Sequence, residues 1–214
     1  MSRLEIEKLK NGAVRRRNKR AVGLFIDGMS LDRAIYRLEK KLDLGKLVTS
    51  LSEGLVPEIS RYYTLVPYED DARQFSFLSA VERSGLEVIA KRLPPKNVQR
   101  KVAMDVHMAT DLMLFATGNF LNHSLSQSGS DNIQITDDLE SRDFNLDLSQ
   151  EKDLSIKRTA IVLCPSRELS YVLYVCRQFG VEIMLVDFGS YGKSDSWHGI
   201  DKWVDLSTSE TIWR

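Results

Sequence analysis

The stretch AVGLFIDG, Ala21–Gly28, decides the fold, because an apolar run with no charged residue passes directly into an aspartate and a glycine. A strand that is apolar on both faces belongs in a parallel sheet covered by helices on either side. The acid at its end sets a carboxylate at the mouth of that sheet, and the adjacent glycine permits a tight strand-to-helix turn. In open α/β sheets the functional crevice lies beyond the carboxyl ends of the strands, so Asp27 is the first candidate site residue. An Asp just before a helix is also a common N-cap, and on this residue alone the two readings weigh equally.

The same kind of run recurs at ISRYYTLV (Ile59–Val66), LEVIA (Leu86–Ala90), TAIVLC (Thr159–Cys164) and VEIMLV (Val181–Val186). Helical patterns lie between them at Leu31–Leu42, Gly45–Leu51, Asp71–Ser84, Asp105–Phe115 and Arg167–Phe179, the last closing at Gly180 where a left-handed C-cap residue belongs. This alternation predicts an α/β fold with a five-stranded parallel sheet flanked by helices on both faces. No internal repeat is visible.

A chain of 214 residues, 43% hydrophobic and 28% charged, suits one folded domain and disfavours wholesale disorder or a disulfide scaffold. Thirty basic and thirty acidic residues cancel overall, which excludes a uniformly basic nucleic-acid binder. The charge is nevertheless segregated. Residues 1–20 form a basic tail, whereas Asp131–Asp153 is acidic and follows the Gly/Asn/Ser-rich run Gly118–Asn132. The expected organisation is a basic tail (1–20), a domain (21–206) interrupted by a flexible acidic insertion (118–157), and a C-terminal tail (207–214). Within WVDLSTSETIWR (Trp203–Arg214) two tryptophans suggest packing, as an edge strand or against a second copy in a homodimer. Cys164 and Cys176 lie in apolar runs without zinc-ligand spacing, so reduced buried thiols are expected. No run reaches the roughly 18 apolar residues of a membrane span, and the charged N-terminus is no signal peptide, which predicts a cytoplasmic protein.

Two further acids, Asp105 and Asp111, flank the sequence VHMAT at the start of the fourth helical pattern. Residues six apart on a regular helix do not share a face, so the two converge only if Asp105 is an N-cap. The bland alternative is capping and complementarity to the helix dipole. Three carboxylates gathered in one crevice would repel, and hard divalent cations such as Mg2+ or Mn2+ are the usual compensation. Such ions serve phosphodiester cleavage, so a nuclease is the first functional expectation.

LFIDGMS (Leu24–Ser30) and KVAMDVHMATDLM (Lys101–Met113) resemble the NYN domains of the PIN-like nuclease superfamily, related to the LabA-like proteins. The first is similar to the family's strand and Ile-Asp-Gly-x-Asn turn, the second to its Lys-Gly-Val-Asp-Val-x-Leu-x-x-Asp stretch. AIVLCPSRELSYVL (Ala160–Leu173) falls where the family has a strand, Ser-Gly-Asp-x-Asp-Phe and a helix. The resemblance implies a Rossmann-like fold and metal-dependent cleavage of RNA, with Asp27, Asp105, Asp111 and Glu168 as catalytic and metal-binding residues. Ser30 stands where the family has Asn, and Ser166 and Glu168 replace two aspartates. Glu168 keeps a carboxylate one methylene longer, whereas Ser166 offers a neutral hydroxyl, a loss of charge that loosens metal affinity.

Single-stranded RNA, the implied substrate, needs positive charge near the acids. Lys91–Lys101 holds five basic residues, of which Lys96, Arg100 and Lys101 are the candidate phosphate contacts, together with Ser30, Ser166 and Arg167. Arg167 could instead pair with the acids. Tyr62, Tyr63 and Tyr68 are candidates for base stacking, against the commoner reading of strand aromatics as core. His107 could hydrogen-bond Asp111, and no histidine triad or metal site is supported. The rival reading is a catalytically inactive module that binds RNA and protein partners. A haloacid-dehalogenase-type phosphatase would need a second Asp where Met29 stands, and no P-loop occurs. If the acidic run shields the basic surface, deleting 118–157 strengthens RNA binding, most at low salt, in a fluorescence anisotropy titration; unchanged or weaker binding refutes the shielding.

Overall fold

The computed structural model describes residues 20–69, 71–98, 101–119, 134–135, 156–189 and 197–214. The chain runs β1 (Arg20–Asp27), α1 (Gly28–Leu38), α2 (Leu44–Leu51), β2 (Ile59–Val66), α3 (Ala72–Arg83) and β3 (Glu87–Arg92). It continues through α4 (Asp105–Thr117), β4 (Gln134–Ile135), β5 (Lys157–Leu163), a 3-10 turn (Arg167–Leu169), α5 (Ser170–Gln178), β6 (Glu182–Asp187) and β7 (Lys202–Asp205). Every strand pairing is parallel, in the order β4-β3-β2-β1-β5-β6-β7. The α/β class and the five expected strands are present. The sheet gains β7, too short and half-exposed for its apolar pattern to stand out, and the two-residue β4.

Strand β4 pairs with Ile89 and Ala90 of β3. It falls inside the run 118–157, so the expectation of one uninterrupted flexible insertion is corrected at those two residues. Most of the rest of that run lies outside the described residues, as do residues 1–19 of the basic tail, Arg100 and His123. A shortened insertion that tests shielding therefore has to spare Gln134 and Ile135. The expected C-terminal tail is also corrected. Ile212 is buried, Trp213 packs on Phe188 with ring centroids 5.9 Å apart, and an isolated bridge joins Trp213 to Leu42.

Alternation along the strands divides the interior in two. Leu24, Ile26 and Tyr62 pack with Leu31, Leu47 and Leu78 beneath α1, α2 and α3, while Phe25 and Tyr63 pack with Leu112, Phe115 and Leu173 beneath α4 and α5. Tyr62 and Tyr63 are thus core residues, and of the three candidate stacking tyrosines Tyr68 is exposed. Cys164 and Cys176 are free and buried, and burial pushes the Cys176 thiol up to about 12. Helix boundaries shift where caps act. Helix α1 starts at Gly28 because Asp27 caps it, and it ends at Leu38 because Glu39 adopts a left-handed φ of 52°. The expected helix over Arg167–Phe179 divides into the 3-10 turn and α5. Among the described residues no helix is long and apolar enough to cross a membrane.

An ion pair is buried in the second core. Arg61 on β2 is 7% exposed, with Nε 2.7 Å from Oε2 of Glu87, its register partner on β3, and a terminal nitrogen 2.7 Å from Oδ2 of Asp111 on α4. The Tyr63 hydroxyl donates to the same Asp111 oxygen at 2.7 Å. Burial alone would lower the Arg61 pKa, but the charges of Asp111 and Glu87 outweigh it and hold the guanidinium protonated. The network ties α4 to two strands. Arg61→Met strands a buried carboxylate and is expected to lower the unfolding free energy by about 3–5 kcal/mol in a urea titration. A loss no larger than that of Arg73→Met on the exposed face of α3 would show that the network contributes nothing.

Candidate functional site

The chain leaves β1 toward β2 on one side of the sheet, and β5 closes against its other side, so the strand order reverses between β1 and β5. A crevice opens outside the carboxyl ends of two strands at such a point. Asp27 ends β1 there and performs both of the jobs expected of it. As N-cap of α1 its Oδ1 accepts from the Ser30 backbone N–H at 3.1 Å and its Oδ2 from the Ser30 hydroxyl at 2.7 Å. Arg33 in turn donates to the Ser30 Oγ at 3.1 Å. Gly28 is needed for close approach, since a Cβ on it would lie 2.3 Å from Cζ of Tyr62.

Asp105, the first residue of α4, faces the same cavity of ≈ 210 Å³, walled by Asp27, Ser30, Arg33, Tyr63, Met108 and Ser166 among others. The Ser166 hydroxyl donates to Asp105 Oδ1. Each acid is therefore held by a serine, and the two carboxylates lie close enough to repel. Burial is the main reason the Asp27 pKa is raised, the Asp105 charge adds to it, and the Ser30 hydrogen bonds and Arg33 oppose it.

The structure separates the other expected ligands from this pair. Asp105 is a helical residue and not an N-cap, so Asp111, six residues on, turns away from the cavity to Arg61 and Tyr63. Asp111 is engaged in the core by Arg61 and Tyr63 and is not part of the cavity wall. Glu168 is exposed on the 3-10 turn and is not part of the cavity wall. Of the four expected carboxylates the structure brings Asp27 and Asp105 to one cavity, and among the described residues no group of three or more His, Cys, Asp and Glu side chains is gathered as a metal site. Lys96 and Lys101 are exposed, and Lys101 immediately precedes the wall residues Val102 and Ala103, while Arg100 lies outside the described residues. Arg167 lies 5.1 Å from the ring centroid of Trp197, and its charge reaches Asp187.

Sequence reasoning passed over Asp32, Arg33 and Asp187. Asp187 ends β6 just as Asp27 ends β1, so the rule that singled out Asp27 applies equally to VEIMLVD. Its pKa is raised, chiefly by burial. Asp32 accepts from the Tyr62 hydroxyl at 3.2 Å and is raised by burial and by the Asp27 charge. Cys164, after β5, adopts a left-handed φ of 51°, and its Sγ lies 3.7 Å from Asp187 Oδ1. A non-glycine residue in that region stores backbone strain, which concentrates at functional sites.

The raised Asp27 pKa has a signed consequence. Its folded form binds protons more readily than its unfolded form, so its stability contribution is present in acid and lost as pH rises through the raised value. In chelator, Asp27→Asn keeps an N-cap and removes the buried charge, so it should melt above the wild type at neutral pH. That advantage should close on acidification below the ordinary carboxylate range. A variant that melts below the wild type at both pH values would overturn the assignment.

Residues 21–163 match the NYN domain model, a span that includes Asp27, Asp105 and Asp111 and ends at the last residue of β5. Among solved structures the chain is similar to a protein of unknown function from Vibrio parahaemolyticus, at a TM-score of 0.64 and 11% identity, over 94% of this chain and 100% of that one. The similarity at that identity is one of fold. No curated protein matches. With a family model that covers two-thirds of its length and both motifs of the acid pair, the chain belongs to the NYN domain family.

Proposed function

We propose that the protein is a divalent-metal-dependent ribonuclease of the PIN-like type that hydrolyses single-stranded RNA. The observation that carries this reading is the pair Asp27 and Asp105 in one cavity at the switch point of the sheet, with the Asp27 pKa raised. An all-oxygen donor set of two carboxylates with the Ser30 and Ser166 hydroxyls fits one hard cation that keeps water and substrate phosphate in the rest of its shell. Asp27 and Asp105 would hold Mg2+ or Mn2+. When bound, the cation offsets the charge of the phosphodiester and polarises its phosphorus–oxygen bonds.

The protein's own residues orient and shield. Ser30 fixes both oxygens of Asp27, and Ser166 fixes one oxygen of Asp105, so neither acid has to reorganise when phosphate arrives. Met29, Leu65, Val102, Met104 and Met108 supply an apolar wall for ribose and base. Lys96 and Lys101 are exposed, Lys101 next in sequence to that wall, and would meet flanking phosphates. Buried free thiols suit a reducing cytoplasm. The second reading, a silent module that binds RNA and acts through protein partners, draws on Ser166, which offers a hydroxyl where the family places an acid.

End-labelled single-stranded RNA should be cut in Mn2+ or Mg2+, remain intact in chelator, and remain intact with Asp27→Asn and Asp105→Asn. Glu168→Gln should cut at close to the wild-type rate. RNA bound but uncut in manganese would select the silent module, and cleavage that survives both Asp variants would mark a contaminant.

A further inference from the structure

A second cavity of ≈ 170 Å³ adjoins the acid pair, walled by Ser30, Arg33, Arg37, Cys164, Pro165 and Asp187. Ser30 and Arg33 belong to both walls, so the two cavities form one track along the mouth of the sheet. Arg33 and Arg37 are four residues apart and share a face of α1. The opposite wall is the strained turn at Cys164, fixed by a backbone hydrogen bond of 2.9 Å from Cys164 N–H to the Val186 carbonyl. This second pocket lies over the β1/β5 switch point itself.

We propose that this cavity is a phosphate subsite, in which Arg33 and Arg37 seat the RNA phosphate next to the one held at Asp27 and Asp105. The inference rests on the ribonuclease reading and extends it by naming the residues that take the neighbouring phosphate. Guanidinium groups recognise phosphate through paired N–H donors. Among the described residues Asp187 is the one opposing charge in the wall, its Oδ1 accepting from the Phe188 N–H at 2.8 Å and facing the Cys164 thiol. Arg167 adds a third positive charge near it. A phosphate that enters therefore meets two guanidiniums on α1 and a carboxylate already hydrogen-bonded. Arg33 also donates to Ser30 Oγ and to the Met29 carbonyl at 3.2 Å, so it couples the subsite to the cap of Asp27.

Arg37 gives the cleaner test, since it is exposed and belongs to the wall of the second cavity and not to that of the acid cavity. Binding of a fluorescein-labelled oligouridylate to the full chain is measured in chelator over a salt series. Arg37→Gln should bind several-fold more weakly, with the slope of log affinity against log salt shallower by about 0.7, the value for one single-strand phosphate contact. Arg37→Lys should restore most of the slope. Arg83→Gln, on the last turn of α3 at the opposite end of the sheet, should leave both unchanged. Kinetically, a 3′-phosphate added to a dinucleoside phosphate should raise kcat/KM for the wild type in manganese and not for Arg37→Gln. RNA bound with the same affinity and slope by Arg37→Gln overturns the subsite, and so does an equal loss in Arg83→Gln. Failure of the wild-type chain to bind RNA overturns the ribonuclease reading and the subsite with it.

Discussion

Negative charge gathered at the carboxyl edge of a parallel sheet is the constraint around which this molecule is arranged. Parallel strands all end on one side, so the acids that terminate β1, β6 and β7 share that edge, and Asp32 and Asp105 join them from helices. Each is managed differently. Asp27 is capped by Ser30, Asp105 is held by Ser166, and Asp187 accepts from the following backbone. Asp205 accepts from Gly189 and Ser207 backbone N–H groups, at 2.7 and 2.8 Å, with its pKa lowered despite the opposing effect of burial. Asp27, Asp32 and Asp187 still have raised pKa values, so backbone and hydroxyl donors leave part of the charge uncompensated. Stability is given up along an edge where a cation and phosphate would recover it.

Asp111 shows how the same residue type is diverted to the core. The two acids of DVHMATD lie on different faces of α4, and the buried guanidinium of Arg61 decides which acid goes inward. A lone arginine in that core would be prohibitively costly, whereas one flanked by Glu87, Asp111 and the Tyr63 hydroxyl is satisfied. Tyr63 also lines the acid cavity, so the network forms the floor on which Asp105 stands. The site is thus smaller in carboxylates than the motif alone implies, and its rigidity comes partly from an acid that never faces it.

Most of the fold was legible because buried parallel strands are short, apolar and bounded by turn residues, and β2 was bounded to the residue. The edges were not. Strand β7 has one face toward solvent and only four residues, and β4 is defined by its backbone pairing to β3. At the site, Asp27 was legible because a charged residue that ends an apolar strand is conspicuous, and Asp105 because of its helix-starting context. The fate of Asp111 was hidden in Arg61, a charge in the middle of ISRYYTLV whose partners on β3 and α4 no local pattern reveals. Glu168 lies exposed on a 3-10 turn, where the sequence pattern suggested one continuous helix from Arg167.

The parallel pairing of β1 and β5 starts with Arg20 beside Lys157. Both open their strands at the amino edge of the sheet, about 4.8 Å apart. That positive charge is a strand's length from the acids at the carboxyl edge, where Arg33 of α1 lines the cavity.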